Sequence, residues 1–339
     1  MSSFKRIERK GTTAMVKTPH EIFRSQKLKK LHIAAVLAMA TLAVSTIADA
    51  RVARVKHETV TQQTFASPEQ AGEALSAAWH HDSKKELLQI FGSAGWKLVD
   101  SGDPVAEQQA RSRLAGAYDA LHRIEYADYQ TATLILGTDE FPYPVPLLKQ
   151  GEAWSFDAKS GEQEILDRRV GRNELYAIEV CRTVVDAQRE YAAQDAMGNG
   201  AHEYAARILS NEGSHDGLYW NVAAGQPESP LGPLVADAES EGYSAHGNKH
   251  TPYHGYYYRL LTKQGDDAPG GASDYYVNGH LTRGFALIAF PAKYGDSGIM
   301  TFMVNQDGIV FEKNLGPHTV TLARRITEYN PDQTWDIPK

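Results

Sequence analysis

Apolar residues recur at helical spacing in the first part of the chain and then give way to short β-type runs; the same succession repeats in the second part. Ala71, Leu75, Ala78 and Trp79 form one apolar stripe, opened by Ser67-Pro68-Glu69-Gln70. Ser67 is a capping residue, Pro68 suits a first helical turn, and Gln70 closes a capping box. Ser83 to Glu86 repeats the signal ahead of Leu87, Leu88 and Phe91. Asp103-Pro104 opens a third helix, expected to run to Tyr126, with Leu114, Ala117, Tyr118 and Leu121 on one face. Strands are expected at Thr131–Leu136 and at Ala153–Asp157, where Trp154 and Phe156 share a face. Prolines in and beside Tyr143–Leu148 make that segment an expected edge or bulged strand. A short helix around Glu162–Arg169 closes this part.

The longest helical pattern runs from Gly171 to Asp195, through Leu175, Ile178, Cys181, Val184, Val185, Gln188 and Tyr191. Gly198-Asn199-Gly200 stops it. A second amphipathic piece covers roughly Ala201 to Leu209. A loop-rich stretch follows to about Tyr253, punctuated by Pro227, Pro230, Gly232 and Pro233. Strands are expected at Tyr256–Leu261, Phe285–Phe290, Met300–Val304 and Ile309–Glu312. The last two join across Asn305-Gln306-Asp307-Gly308, a hairpin signal. Phe285–Phe290 is apolar throughout, so both of its faces are expected to be covered.

The pattern therefore predicts an α+β protein of two modules, residues 65–168 and 171–330. Helices followed by a curved antiparallel sheet give the first module the outline of the cone-shaped nuclear-transport-factor-2-like (NTF2-like) architecture, a likeness of architecture alone.

The first fifty residues stand apart. Arg24, Lys27, Lys29 and Lys30 precede an apolar run from Ile33 to Ile47, and Ala48-Asp49-Ala50 follows. Basic head, short apolar middle and A-x-A exit describe a secretory signal peptide over residues 1–50, with Met15 as an alternative start. Fifteen apolar residues rise about 22 Å as a helix, short of a hydrocarbon core of roughly 30 Å, which favours a cleaved signal over a retained anchor. Beyond residue 50 there remain 26 Lys and Arg against 39 Asp and Glu, a net charge near −13. Such a surface repels phosphate backbones, so nucleic acid is not an expected partner. Hydrophobic residues at 42% and charged residues at 23% are ordinary for a globular protein, and one cysteine excludes an internal disulfide.

Several long strings carry a family resemblance: TFASPEQA, SGDPVAEQQAR, VGRNELYAIEVCRTVVDAQREYAAQD, ESPLGPLVADAESEGY, PYHGYYYRLLTKQG and FALIAFPAKYGDSGIMTFMVNQDGIVFEKNLG. From about Phe65 to Asp336 the chain resembles an uncharacterised family of exported bacterial proteins, domain of unknown function 2950 (DUF2950). That resemblance implies export, in a periplasmic or secreted setting and a Gram-negative bacterium, and supplies no activity. More distantly, the second module is similar to the globular heads of type IV pilins and pseudopilins. It shares an A-x-x-x-Y-A helix segment at Ala187–Ala192 and a glycine-bounded hairpin at Gly298–Val310. No hydrophobic spine precedes Gly171, so a pilin-like head would serve here for display or interaction, without polymerisation.

Candidate chemistry is sparse. Asp195, Asn199 and Glu203 resemble part of a calcium loop, although Met197 stands at a ligand position; a polar helix stop is the plainer reading. His246, His250 and His254 are spaced by four, a zinc-compatible set only if loops converge, since Gly247, Pro252 and Gly255 oppose a helix there. Trp220, Tyr253, Tyr256, Tyr257 and Tyr258 form an aromatic group, with one strand face expected in the core and the other open to recognition. Cys181 on an apolar helix face reads as an inert thiol. Ser214, His215 and Asp216 are adjacent, which points them apart and argues against a triad. No phosphate loop, dinucleotide motif or nucleophile elbow is present. These signals point away from an enzyme and toward an exported binding protein that meets an envelope protein or a glycan. It would need no cofactor and keep no membrane segment once the signal is removed. A metal-dependent enzyme using calcium or zinc, or a small-ligand binder, is the alternative.

Overall fold

The computed structural model describes residues 59–223, 225–244 and 251–338. The expected signal segment and the two histidines His246 and His250 lie outside the described residues. The first helices are α1 (Pro68–His80), α2 (Lys84–Phe91), the short α3 (Trp96–Val99) and α4 (Pro104–Ala120). Their starts follow from side-chain caps. Ser67 accepts from the Gln70 amide, Ser83 from the Glu86 amide and Asp103 from the Ala106 amide.

An antiparallel sheet follows, made of β1 (His122–Tyr126), β2 (Thr131–Leu136), β3 (Phe141–Pro142), β4 (Leu147–Gln150) and β5 (Ala153–Phe156). Its order is β1-β2-β4-β5, with β3 pairing on β2. Leu75, Trp79, Phe91, Leu134, Leu147 and Phe156 meet in a first hydrophobic core between helices and sheet.

Two expectations change here. The third helix stops at Ala120, and His122–Tyr126 pairs in register with Ala132–Leu136. Leu121 is already extended, so cross-strand pairing wins over the helical period. The proline-flanked strand is not an edge: β4 starts after Pro146 and lies between β2 and β5.

A single helix, α5 (Ala158–Ala193), takes the place of the two helices expected around Glu162–Arg169 and Gly171–Asp195. At 36 residues it spans about 54 Å. Gly171 does not break it, because one exposed glycine among good helix formers costs only about 1 kcal/mol. Gly161 and Gly171 should therefore respond oppositely to alanine. A Cβ at Gly171 meets nothing within 4 Å, whereas one at Gly161 meets Val145 and the Pro144 carbonyl at 2.7–2.8 Å. Gly171→Ala should stabilise by about 0.5–1 kcal/mol and Gly161→Ala should destabilise by about 1–3 kcal/mol, read from thermal melts.

The remaining elements are α6 (Gly232–Ser240), β6 (Tyr256–Leu261), β7 (Lys263–Gln264), β8 (Ser273–Asp274), β9 (Tyr276–Val277) and β10 (His280–Leu281). Then come β11 (Ala286–Pro291), β12 (Met300–Asn305), β13 (Phe311–Asn314) and α7 (Thr319–Arg325). The helix α6 lies inside the stretch expected to be loop, and Ala201–Leu209 forms no helix. The second sheet is antiparallel with order β13-β12-β11-β6. Every residue of β11 is buried, with α5 and α7 both packed against it, so its two faces are covered. Val184, Tyr256, Phe285, Ile288 and Phe302 centre the second core. The fold class is α+β. The described residues belong to one compact unit, although their buried apolar side chains separate into two clusters.

Candidate functional site

The capping residue of α4 is also the centre of a buried polar junction. Asp103 is 1% exposed; one carboxylate oxygen accepts from the Ala106 amide at 3.1 Å. The other accepts from the Gly255 amide at 2.7 Å and the Tyr243 hydroxyl at 2.9 Å. The Tyr243 oxygen in turn accepts from the His254 amide at 3.3 Å. Burial raises the Asp103 pKa despite these donors, and burial with the nearby Asp103 charge raises that of Tyr243.

His254 sits beside this knot with a left-handed backbone, φ +46°. Its ring is buried and stacks flat on Tyr176 of α5, with centroids 4.1 Å apart. Nε2 lies 3.0 Å from Glu241 Oε2, and neither atom makes a hydrogen bond among the described residues. Burial, then Arg172 and Arg113, push the His254 pKa down to about 4. The Glu241 carboxylate pulls the other way. Burial and the nearby Asp237 raise its own pKa.

A second polar knot adjoins the first. Asp100 receives the ammonium groups of Lys293 and, at 3.2 Å, Lys84. Burial opposes its charge, but the two ammonium groups outweigh burial and hold the Asp100 pKa below the usual carboxylate range. Glu107 accepts from the Ser101 amide at 2.7 Å and from Gly102, and Lys84 lies 2.5 Å from its other oxygen. Arg169 of α5 donates to the carbonyls of Lys97 and Leu98, and Asn173 donates to that of Ser297 at 2.9 Å. Segments of both cores are thus joined by charged and polar contacts, most of them provided by the loops before α4 and after β11.

The aromatic group expected from sequence divides between core and half-buried positions. Tyr256 is fully buried and donates to the Met300 carbonyl at 2.9 Å; Tyr257 packs against Phe290. The Tyr258 hydroxyl is enclosed without a partner among the described residues. Tyr253 packs edge-on against Tyr243, and Trp220 stacks on His215 at 4.3 Å and meets Tyr191 edge-on. Asp195, Asn199 and Glu203 do come together. Asp195 accepts from the Asn199 and Gly200 amides, and Asn199 donates to Glu203 at 2.7 Å. Glu203 also faces His280 Nδ1 at 3.2 Å, a partner 77 residues distant that no local pattern announces. Among the described residues no group of three or more His, Cys, Asp or Glu is placed to hold a metal ion. Cys181 is buried, and burial pushes its thiol up to about 12, too high for a nucleophile at neutral pH. Asp216 pairs with Arg207 at 3.2 Å while His215 lies on Trp220, so the adjacent Ser214, His215 and Asp216 face different neighbours.

An open cleft of about 280 Å³ lies beside the C-terminal segment of the second core. Met303, Leu315, Ile326 and Trp335 supply its apolar wall; Lys313, Arg325, Glu328 and Asn330 supply polar groups. The Lys313 ammonium sits 5.7 Å from the Trp335 ring centre. Arg325 is exposed and has no ion pair among the described residues. Nothing in the sequence order signals this cleft, because its lining comes from β12, β13 and the chain after α7, which meet only through tertiary packing.

Among the described residues no helix is long and apolar enough to cross a membrane. The family model described as protein of unknown function (DUF2950) matches residues 62–337. No similar curated protein and no similar solved structure was found.

Proposed function

The chain belongs to the DUF2950 family, and from that premise we propose that it is an exported, non-catalytic binding protein of the bacterial envelope. The observation that carries this reading is the cleft, an apolar floor with a few convergent polar groups, which is the usual form of a recognition site. Its small size suits one side chain or one sugar ring of an envelope protein or glycan. Its cations, Lys313 and Arg325, favour a group with negative charge. The basic head, apolar run and A-x-A exit of residues 1–50 support export to the periplasm or beyond. The long helix laid on an antiparallel sheet supports reading the second half as a pilin-like display head, and the helices over the first sheet support the cone-like reading of the first half.

A photo-crosslinking residue at position 325, introduced into the full chain and activated in intact cells, tests the reading. A discrete adduct with one envelope component is expected, reduced by Leu315→Asp in the cleft. Processed protein in the cytosol, no adduct at this position, or turnover of a substrate by the purified protein would each overturn it.

A further inference from the structure

The first sheet has one closed end and one open end. At the closed end Phe65 exchanges two backbone hydrogen bonds with Trp154 of β5, both at 2.8 Å. The outer strand of the second sheet, β13, is closed in the same way by Glu312 and Asp336, at 2.7 and 2.9 Å. At the open end β1 pairs only with β2, and four of its five residues are exposed. An unpaired edge is a template for another strand, and proteins usually blunt it with proline, a bulge or charge. β1 has no proline and pairs with β2 without a bulge, and its two charged residues, Arg123 and Glu125, are of opposite sign.

The phase of the ladder decides which backbone groups are free. Leu121 accepts from the Gly137 amide at 2.8 Å, and the Ala127 amide donates to the Thr131 carbonyl at 3.0 Å, both in the register that joins β1 to β2. Alternation then turns the amides and carbonyls of Arg123 and Glu125 toward β2 and those of His122, Ile124 and Tyr126 outward. No described group bonds to this outward set. Side chains alternate as well. Ile124 packs against the first core, level with Leu134, and Tyr126 on the same face is 52% exposed. Arg123 and Glu125 stand on the opposite face.

We propose that β1 is the self-association edge of this protein, with two copies pairing antiparallel about a two-fold axis at Ile124 so that their first sheets become one.

The strand is complementary to itself in that register. Centred on Ile124, the outward groups of the two edges make about six hydrogen bonds. Arg123 stands directly opposite the partner's Glu125, and Glu125 opposite the partner's Arg123. These are close, non-hydrogen-bonded positions with Cα atoms about 4.5 Å apart. On the other face His122 meets the partner's Tyr126, and the two isoleucines at the centre cover each other. Sliding one copy by two residues sets Arg123 against the partner's Arg123, or Glu125 against the partner's Glu125. Like charges directly opposite are destabilising, so these slipped pairings are disfavoured. Within one copy Arg123 reaches Glu125 at 2.7 Å and Glu140 at 3.4 Å. Both are exposed pairs of little worth, which leaves the guanidinium available to the partner's carboxylate.

Sedimentation velocity of the protein purified from expression of the full chain supplies the readout. The wild type should pass from monomer to dimer as concentration rises. Arg123→Glu puts like negative charges opposite each other at both pairs, and Glu125→Arg does so with positive charges. Each change alone should weaken association by at least about tenfold. Mixed in equal amounts, the two variants should recover a dimer, because each supplies the charge that the other lacks. The variant carrying both changes should dimerise like wild type, and it serves even if a single variant folds poorly. A wild type that stays monomeric up to about 0.1 mM, a dimer indifferent to the single changes, or a mixture that fails to associate would overturn the assignment.

Discussion

Replacing Asp103 with alanine should destabilise the protein by about 3–5 kcal/mol, measured as a shift in urea unfolding. The carboxylate serves three donors at once: the first turn of α4, the Gly255 amide and the Tyr243 hydroxyl. Losing a helix cap costs about 1 kcal/mol. Leaving a buried donor unsatisfied costs about 1–3 kcal/mol each, and Asp103 has two such dependants from a distant part of the chain. Desolvation of the charged form offsets part of this, as the raised pKa of Asp103 records. A group with a raised folded pKa contributes most below its unfolded value and loses that contribution as pH rises through the folded one. The gap between wild type and Asp103→Ala should therefore narrow from acid to neutral pH. A loss below about 1 kcal/mol at every pH would show that water replaces the carboxylate at no great cost.

Gly255→Ala should be almost as damaging, at about 2–4 kcal/mol. The backbone there has φ +76°, and a Cβ would lie 2.6 Å from the Asn173 side-chain nitrogen and 3.0 Å from Ser297 Cβ. Strain at a left-handed position and overpacking in a closed site each cost about 1–3 kcal/mol. The Asn173 amide cannot swing aside without giving up its bond to the Ser297 carbonyl. Combining this change with Asn173→Ala should recover part of the loss. A double variant no more stable than the single one would place the cost in the backbone alone.

Capping residues and periodicity made much of the local structure legible. Ser67, Ser83 and Asp103 each start a helix where their side chains can accept an amide, and the alternating Trp154 and Phe156 are both buried. The all-apolar β11 announced its two covered faces before any neighbour was known. Errors arose where a tertiary partner overrode a local rule. His122–Tyr126 continues a helical pattern but finds β2 across a short turn, and Gly171 resembles a boundary but sits within continuous helix. The candidate sites were less legible. His254 shares its spacing with two histidines outside the described residues, and no local pattern announces that its ring lies on Tyr176 and 3.0 Å from Glu241. Tyrosine spacing along β6 suggests alternating faces, whereas the structure buries Tyr256 and leaves Tyr257 and Tyr258 both half-buried, and spacing cannot say that Tyr256 bonds to the Met300 carbonyl. The cleft at Trp335 depends on a β-bridge between Glu312 and Asp336 that brings the chain end alongside β13, and neither segment carries a mark of the other.

The continuity of α5 has a mechanical consequence. Its N-terminal portion contributes Ala158 to the first cluster of buried side chains, and its C-terminal portion contributes Val184 and Tyr191 to the second. Neither cluster can dissolve without stripping one end of a shared rod, and a helix of half that length would be marginal by itself. Melting should accordingly spread along this rod and engage both clusters in a single cooperative event, so that damage near Val145 is felt as far away as β12.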